Sequence, residues 1–194
     1  MKFENEITIE VNSSLEELQK LLEKNNFKIM KIYDLIDIYM IPKNINKDDD
    51  YLEILKHCIL IRNVVSKNSN RKIITYKYKE YDKFNNIIKQ GKIDCDVNSI
   101  EDSVKLFEAI DYEKLLDMFD HSILYSNGID EFVVQCVNDN HIYIEIEDNC
   151  NFINKKYNSI EEMKNVIQKY QIPMLGNSYF VKKAEIEMKE TFRK

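Results

Sequence analysis

Glycine and proline are scarce in this 194-residue chain, with Gly 3 and Pro 2. So little of either excludes collagen-like and Pro-rich segments, long flexible linkers and glycine-rich phosphate loops. Tryptophan is absent. Purely apolar runs last only a few residues, far short of the roughly 20 that a membrane helix requires. The four cysteines, Cys58, Cys95, Cys136 and Cys150, form no CxxC pair. With His57, His121 and His141 they complete no zinc spacing. A basic excess is missing too. Lys+Arg 28 stand against Asp+Glu 34, for a net charge of −6. Neutralising a phosphate backbone needs clustered cations, so nucleic acid is not an expected partner. The opening Met1-Lys2-Phe3-Glu4 lacks the apolar stretch of a signal peptide. A cytoplasmic protein with reduced thiols and no membrane association is the expectation.

What is present is enough for a core. Hydrophobic residues make up 44% and aromatics 11%, which excludes wholesale disorder. The length fits a single domain over residues 1–194.

Period-two alternation marks a strand over Glu4–Val11, with Ile7, Ile9 and Val11 on one face. Ser14-Leu15-Glu16-Glu17 reads as a capping box, Leu15, Leu18, Leu21 and Leu22 as a helical stripe, and Asn25-Asn26 as its end. Further strands are expected at Tyr33–Ile41, His57–Val65, Lys72–Tyr81, Ile87–Val97, Ser122–Tyr125, Phe132–Val137 and His141–Glu147. Helices are expected after Ser99, over Tyr112–Met118, and from Ser159 to Tyr170. Asn127-Gly128 is a turn between two strands. Hairpin-ordered strands with a few helices between them predict an antiparallel α+β fold. A barrel with flanking helices is the open alternative.

Three strands each carry two carboxylates two residues apart on one face: Glu4 with Glu6, Asp94 with Asp96, and Glu145 with Glu147. An acidic pair on one strand is ordinarily a solvated outer face. Three pairs, accompanied by Arg62, Lys77 and Lys92 on neighbouring strands, point elsewhere. Turned inward, they would require a wet interior that binds an ion or a charged ligand. The acids suit Mg²⁺ or Mn²⁺ and the bases suit phosphate oxygens.

Tyr39 is expected to pack. His57 and Cys58 are neighbours whose side chains point apart, so no thiol–imidazole pair is expected. His121 and His141 are expected at the surface, at strand ends. The charged tail around Glu185–Glu190 reads as a solvated helix face, with Lys182 or Lys183 as an alternative contributor to a site.

The ordered set of motifs resembles the CYTH superfamily, the triphosphate tunnel metalloenzymes. Glu4-Asn5-Glu6-Ile7-Thr8 stands where the family has Glu-x-Glu-x-Lys, and Asp37-Ile38-Tyr39 where it has Asp-x-Tyr. Leu60-Ile61-Arg62, Thr75-Tyr76-Lys77, Lys92-Ile93-Asp94-Cys95-Asp96, Glu145-Ile146-Glu147 and Ser178-Tyr179 follow in the family's order. The departures are on the cationic side: Thr8 replaces a Lys, Leu60 an Arg, and Lys92 an Arg, while Asp94 and Asp96 are each one methylene shorter than Glu.

The resemblance implies a mostly antiparallel closed β-barrel of about eight strands with flanking helices, and a divalent-metal-dependent phosphohydrolase acting on a small triphosphate-containing compound: inorganic triphosphate, thiamine triphosphate or a nucleotide. Glu4, Glu6, Asp94, Asp96, Glu145 and Glu147 would hold Mg²⁺ or Mn²⁺, and Arg62, Lys77 and Lys92 would hold phosphate. No residue is singled out as catalytic. The alternatives are a catalytically impaired anion- or metal-binding protein on the same scaffold, and an adenylate cyclase of the class IV type. A small phosphorylated ligand is the expected partner, and the chain is expected to be a monomer or homodimer.

Overall fold

The computed structural model describes residues 2, 3, 5–81, 83 and 87–192. Among them it places nine strands and five helices. The strands are β1 (Lys2–Phe3), β2 (Glu6–Glu10), β3 (Lys28–Pro42), β4 (Ile59–Ser66), β5 (Ser69–Tyr81), β6 (Ile87–Asp96), β7 (Tyr112–Ser126), β8 (Glu131–Val137) and β9 (His141–Glu147). The helices are α1 (Leu15–Lys24), α2 (Tyr51–Lys56), α3 (Ile100–Ala109), α4 (Ile160–Lys169) and α5 (Lys183–Thr191). Hydrogen-bonded neighbours run β1-β6-β5-β4-β3-β7-β8-β9-β2. The fold is α+β and mostly antiparallel.

The chain forms two compact units. The first comprises Met1–Phe3, Asp34–Phe119 and Lys182–Lys194, and the second Glu4–Tyr33 and Asp120–Val181. In the second unit, Ile7, Ile9, Ile123, Val134, Ile144 and Ile146 line one sheet face. Leu18 and Leu22 of α1, and Met163, Val166 and Ile167 of α4, pack on that face. Burying a Leu or Ile of this kind stabilises by about 1.5–3 kcal/mol. The first unit has two smaller cores. Met40, Ile61 and Phe107 form one, with α3 laid on the sheet. Ile41, Ile54, Cys58, Leu116 and Met188 form the other, where α2 and α5 meet.

Local signals explain the helix ends. Ser14 and Glu17 make the reciprocal capping box that the sequence predicts, and Ser99 and Ser159 cap α3 and α4 through Asp102 and Glu162 amides. Scarce glycine has a visible consequence at the C-termini. After α1 the left-handed position is taken by Asn26 (φ 61), and after α4 by Gln171 (φ 53). Phe27 N–H reaches Leu22 O at 3.0 Å and Ile172 N–H reaches Ile167 O at 3.1 Å, closing both ends as Schellman motifs.

Two expectations change. Tyr112–Met118 is not a helix but the first half of β7. Its burial alternates, with Leu116, Met118 and Asp120 in and Asp117 and Phe119 out, so strand pairing overrides the local helical appearance. Among the described residues the hydrogen-bonded sheet also does not close into a barrel, since its order ends at β1 and β2. The outer edge of β2 is occupied instead by the segment after α4. Thr8 N–H donates to Tyr179 O at 3.0 Å, Val181 N–H to Thr8 O at 2.9 Å, and Leu175 N–H to Glu10 O at 2.8 Å. A strand whose outward backbone groups are already paired has none left for another neighbour.

Candidate functional site

Register in the second unit sorts the residues of β2 and β9. Ile7 faces Ile146 and Ile9 faces Ile144, both towards the core. The alternate residues oppose one another on the other face, Glu6 with Glu147 and Thr8 with Glu145. Side chains alternate across a strand, so the apolar anchors oblige the glutamates to share a face. Oxygens of Glu6, Glu145 and Glu147 all lie within 4.8 Å of one another, and each residue is half-buried. Three carboxylates this close repel unless a proton or a cation intervenes. Their donor set is all oxygen, which fits Mg²⁺ or Mn²⁺ and not a thiophilic metal. A cavity of about 20 Å³ adjoins Glu145 and Glu147, with Glu131, Asn149 and Asn151 among its polar lining and Phe132 and Val133 among its apolar lining. That is room for a single water or ion.

Several polar residues on this face are closed to solvent. Thr8, Ser122, Gln135 and Tyr143 are at most 4% exposed, and so is Asp120. Ser122 Oγ donates to Asp120 Oδ1 at 2.8 Å. Tyr33 of β3 stands close to these groups. Burial, followed by the Glu145 carboxylate, pushes its hydroxyl up to about 12, with Asp120 and Glu147 adding to the effect and a hydrogen bond with Ser122 opposing it. Tyr33 was not among the residues the sequence singled out, because nothing in a lone tyrosine at a strand start distinguishes it. His141 is a correction. It is not a free surface group but pairs through Nδ1 with Glu10 Oε1 at 2.7 Å, both side chains being less than a fifth exposed. Its place on the glutamate face of β9 was legible from the His141-x-Tyr143-x-Glu145-x-Glu147 alternation, whereas its position opposite Val137 was not.

The first unit brings together the other candidates. Arg62 faces Ile73, Thr75 faces Asp94, Ile73 faces Asp96, and Lys77 faces Lys92. All of these share one face of β4, β5 and β6. In backbone register, residue 2 of β1 lies opposite Lys92. The acids here are exposed and engaged. Asp94 accepts from Thr75 Oγ1 at 2.7 Å and Asp96 from Arg71 Nε at 2.6 Å. Arg62 is clamped: Nε and Nη2 donate to Asp37 at 2.7 and 2.6 Å, and Asp37 is wholly buried. Tyr39 packs beside this pair, as expected of it, and burial followed by the Asp37 charge raises its pKa. Lys183 of α5 lies close enough to Tyr39 to act on it in the opposite direction. Cys58 is a core residue whose thiol burial pushes up to about 12, so it is no nucleophile. Glu4 lies outside the described residues.

No protein-family model matches the chain, and no curated protein matches it in sequence. Solved structures do. The PH1819 protein from Pyrococcus horikoshii OT3 aligns with a TM-score of 0.71 at 14% identity, covering 96% of this chain and 99% of that one. A protein from Vibrio parahaemolyticus described as a "putative adenylate cyclase" aligns with a TM-score of 0.59 at 10% identity, covering 95% and 98%. A chain of the Mediator head module from Schizosaccharomyces pombe aligns with a TM-score of 0.59 at 8% identity, covering 88% and 95%. At such identities the likeness defines a shared fold.

Proposed function

We propose that this protein is a CYTH-like, divalent-metal-dependent phosphohydrolase acting on a small triphosphate-containing compound. The observation that carries the reading is the convergence of Glu6, Glu145 and Glu147 within 4.8 Å. Those three residues would hold Mg²⁺ or Mn²⁺, which supplies charge neutralisation for phosphoryl oxygens and lowers the pKa of a bound water. Lys77 and Lys92, directly opposed in register, would bind phosphate oxygens. Arg62, oriented by Asp37, would contribute a fixed guanidinium, and Asp94 and Asp96 further oxygen donors on the same face as the lysines. Glu4, two residues before Glu6, is assigned to the metal with it. The description of the Vibrio structure supports keeping cyclisation of ATP as a variant, with a ribose hydroxyl attacking in place of water.

A second reading has its own support. Asp94 and Asp96 are exposed and already hydrogen-bonded, and Thr8 and Leu60 are not cationic. A non-catalytic anion- or metal-binding protein on this scaffold would keep the carboxylates and lose the cations.

Phosphate release from a panel of triphosphates with Mg²⁺ and Mn²⁺ separates the two. Turnover abolished by Glu147→Ala and by Lys77→Ala establishes the enzyme. A melting temperature raised by metal and triphosphate without turnover establishes the binding protein. Neither turnover nor a shift overturns both.

A further inference from the structure

Asn127-Gly128 is the one asparagine–glycine step in the chain, since the other glycines follow Gln90 and Leu175. Such a step is the most reactive backbone site for deamidation, because glycine offers no side chain to hinder its own nitrogen. The Gly128 nitrogen attacks Asn127 Cγ, the C–N bond to the amide nitrogen breaks, and ammonia leaves. Water then opens the cyclic imide at either carbonyl, yielding aspartate or isoaspartate.

The turn between β7 and β8 opposes each part of that step. Asn127 Oδ1 accepts from Ile129 N–H at 3.0 Å and Asp130 N–H at 2.9 Å. Nδ2 donates to the Tyr170 hydroxyl at 2.8 Å and to Asn25 O at 3.4 Å. The attacking nitrogen is itself engaged, with Gly128 N–H donating to Ser126 Oγ at 3.1 Å. Rotating the carboxamide towards Gly128 N would break these contacts together. The Tyr170 hydroxyl in turn donates a hydrogen bond to Asp130 Oδ2 at 2.7 Å, so the carboxamide sits one hydroxyl away from a buried carboxylate. Conversion would replace a donor by a second negative charge there, and one tyrosine proton cannot serve both acids.

We propose that Asn127 is a latent modification site. The native Asp130–Tyr170 network suppresses its deamidation, opening of the β7–β8 turn releases it, and the product cannot re-form the network. The turn thus records irreversibly how often this part of the fold has opened.

The chain carries an internal reference in Asn68-Ser69, an exposed step at the β4–β5 turn that is intrinsically slower. Peptide mapping by mass spectrometry, with isoaspartate detection, is carried out on the folded and the urea-unfolded full chain at mildly alkaline pH. Asn127 converts faster than Asn68 in urea, and slower than Asn68 in the folded protein. Tyr170→Phe and Asp130→Asn each accelerate conversion at Asn127 in the folded protein, roughly 5- to 30-fold, and leave Asn68 unchanged. Tyr170→Phe removes only a hydroxyl, so it serves if Asp130→Asn does not fold. Folded protein that converts Asn127 as fast as the unfolded chain overturns the proposal. So does a rate at Asn127 that neither variant moves.

Discussion

Replacing Asp130 by asparagine should remove about 2 kcal/mol of stability at neutral pH and almost none in strong acid. Asp130 is 2% exposed. Lys155 Nζ donates to one of its oxygens, with Tyr157 OH at 3.1 Å, while Lys169 Nζ at 2.9 Å and Tyr170 OH at 2.7 Å donate to the other. Burial alone would raise its pKa. The hydrogen bonds from Lys155, Lys169 and Tyr170 outweigh that and take it from 3.8 down to about 2. A fall of that size favours the ionised folded form by about 2 kcal/mol. The sign follows from the direction. Because the folded pKa is depressed, the contribution is complete above 3.8 and is lost as pH falls through about 2. Asparagine keeps the shape but cannot balance two ammonium groups. Urea unfolding of the wild type and Asp130→Asn, repeated across this pH range, measures the difference. A gap of about 2 kcal/mol at neutral pH that closes on acidification is expected. A gap of the same size at every pH, or none at neutral pH, would refute the electrostatic account.

Arg62→Ala should destabilise by about 3–5 kcal/mol, because it leaves the wholly buried Asp37 without its bidentate partner. Adding Asp37→Asn should restore most of the loss, and calorimetry of the single and double variants tests it. Tyr33 should titrate near 12 in an ultraviolet difference titration. Since its folded pKa is raised, the associated stability is present below 10.0 and lost as pH rises through about 12. Glu145→Gln should move the titration downwards, and an unmoved value would remove Glu145 as a cause. Ser14→Ala should cost about 1 kcal/mol by dissolving the capping box of α1, read from the urea midpoint at unchanged slope.

Much of the fold was legible in the order of residues because the governing physics is local. Alternation of Ile7 and Ile9 with Glu6 and Thr8, or of Ile142, Ile144 and Ile146 with Tyr143, Glu145 and Glu147, sets the face of each side chain within its own strand. Ser14, Ser99 and Ser159 mark helix starts through bonds spanning three residues. The same reasoning named Glu6, Glu145 and Glu147, since spacing puts Glu145 with Glu147 on one face of β9 and Glu6 on the face of β2 away from Ile7, while the register between the two strands brings them together.

Pairing was a different matter, because a hydrogen-bonded neighbour is chosen by the whole chain. Tyr112–Met118 has helix-compatible spacing, and only its place beside other strands makes it β7. The edge of β2 is capped by Tyr179 and Val181, more than 160 residues away in sequence, so barrel closure could not be judged from β2 itself. Tertiary structure also set the side-chain partners: Asp37 for Arg62, Glu10 for His141, and Lys155 and Lys169 for Asp130. The scarcity of glycine, finally, argued against long flexible linkers and glycine-rich phosphate loops. The folded chain shows how that scarcity is met, with Asn26, Asp111, Asn138, Asp139 and Gln171 at positive φ. Short polar side chains tolerate that region by bonding locally, but which of them must do so is settled only once the elements on either side have packed.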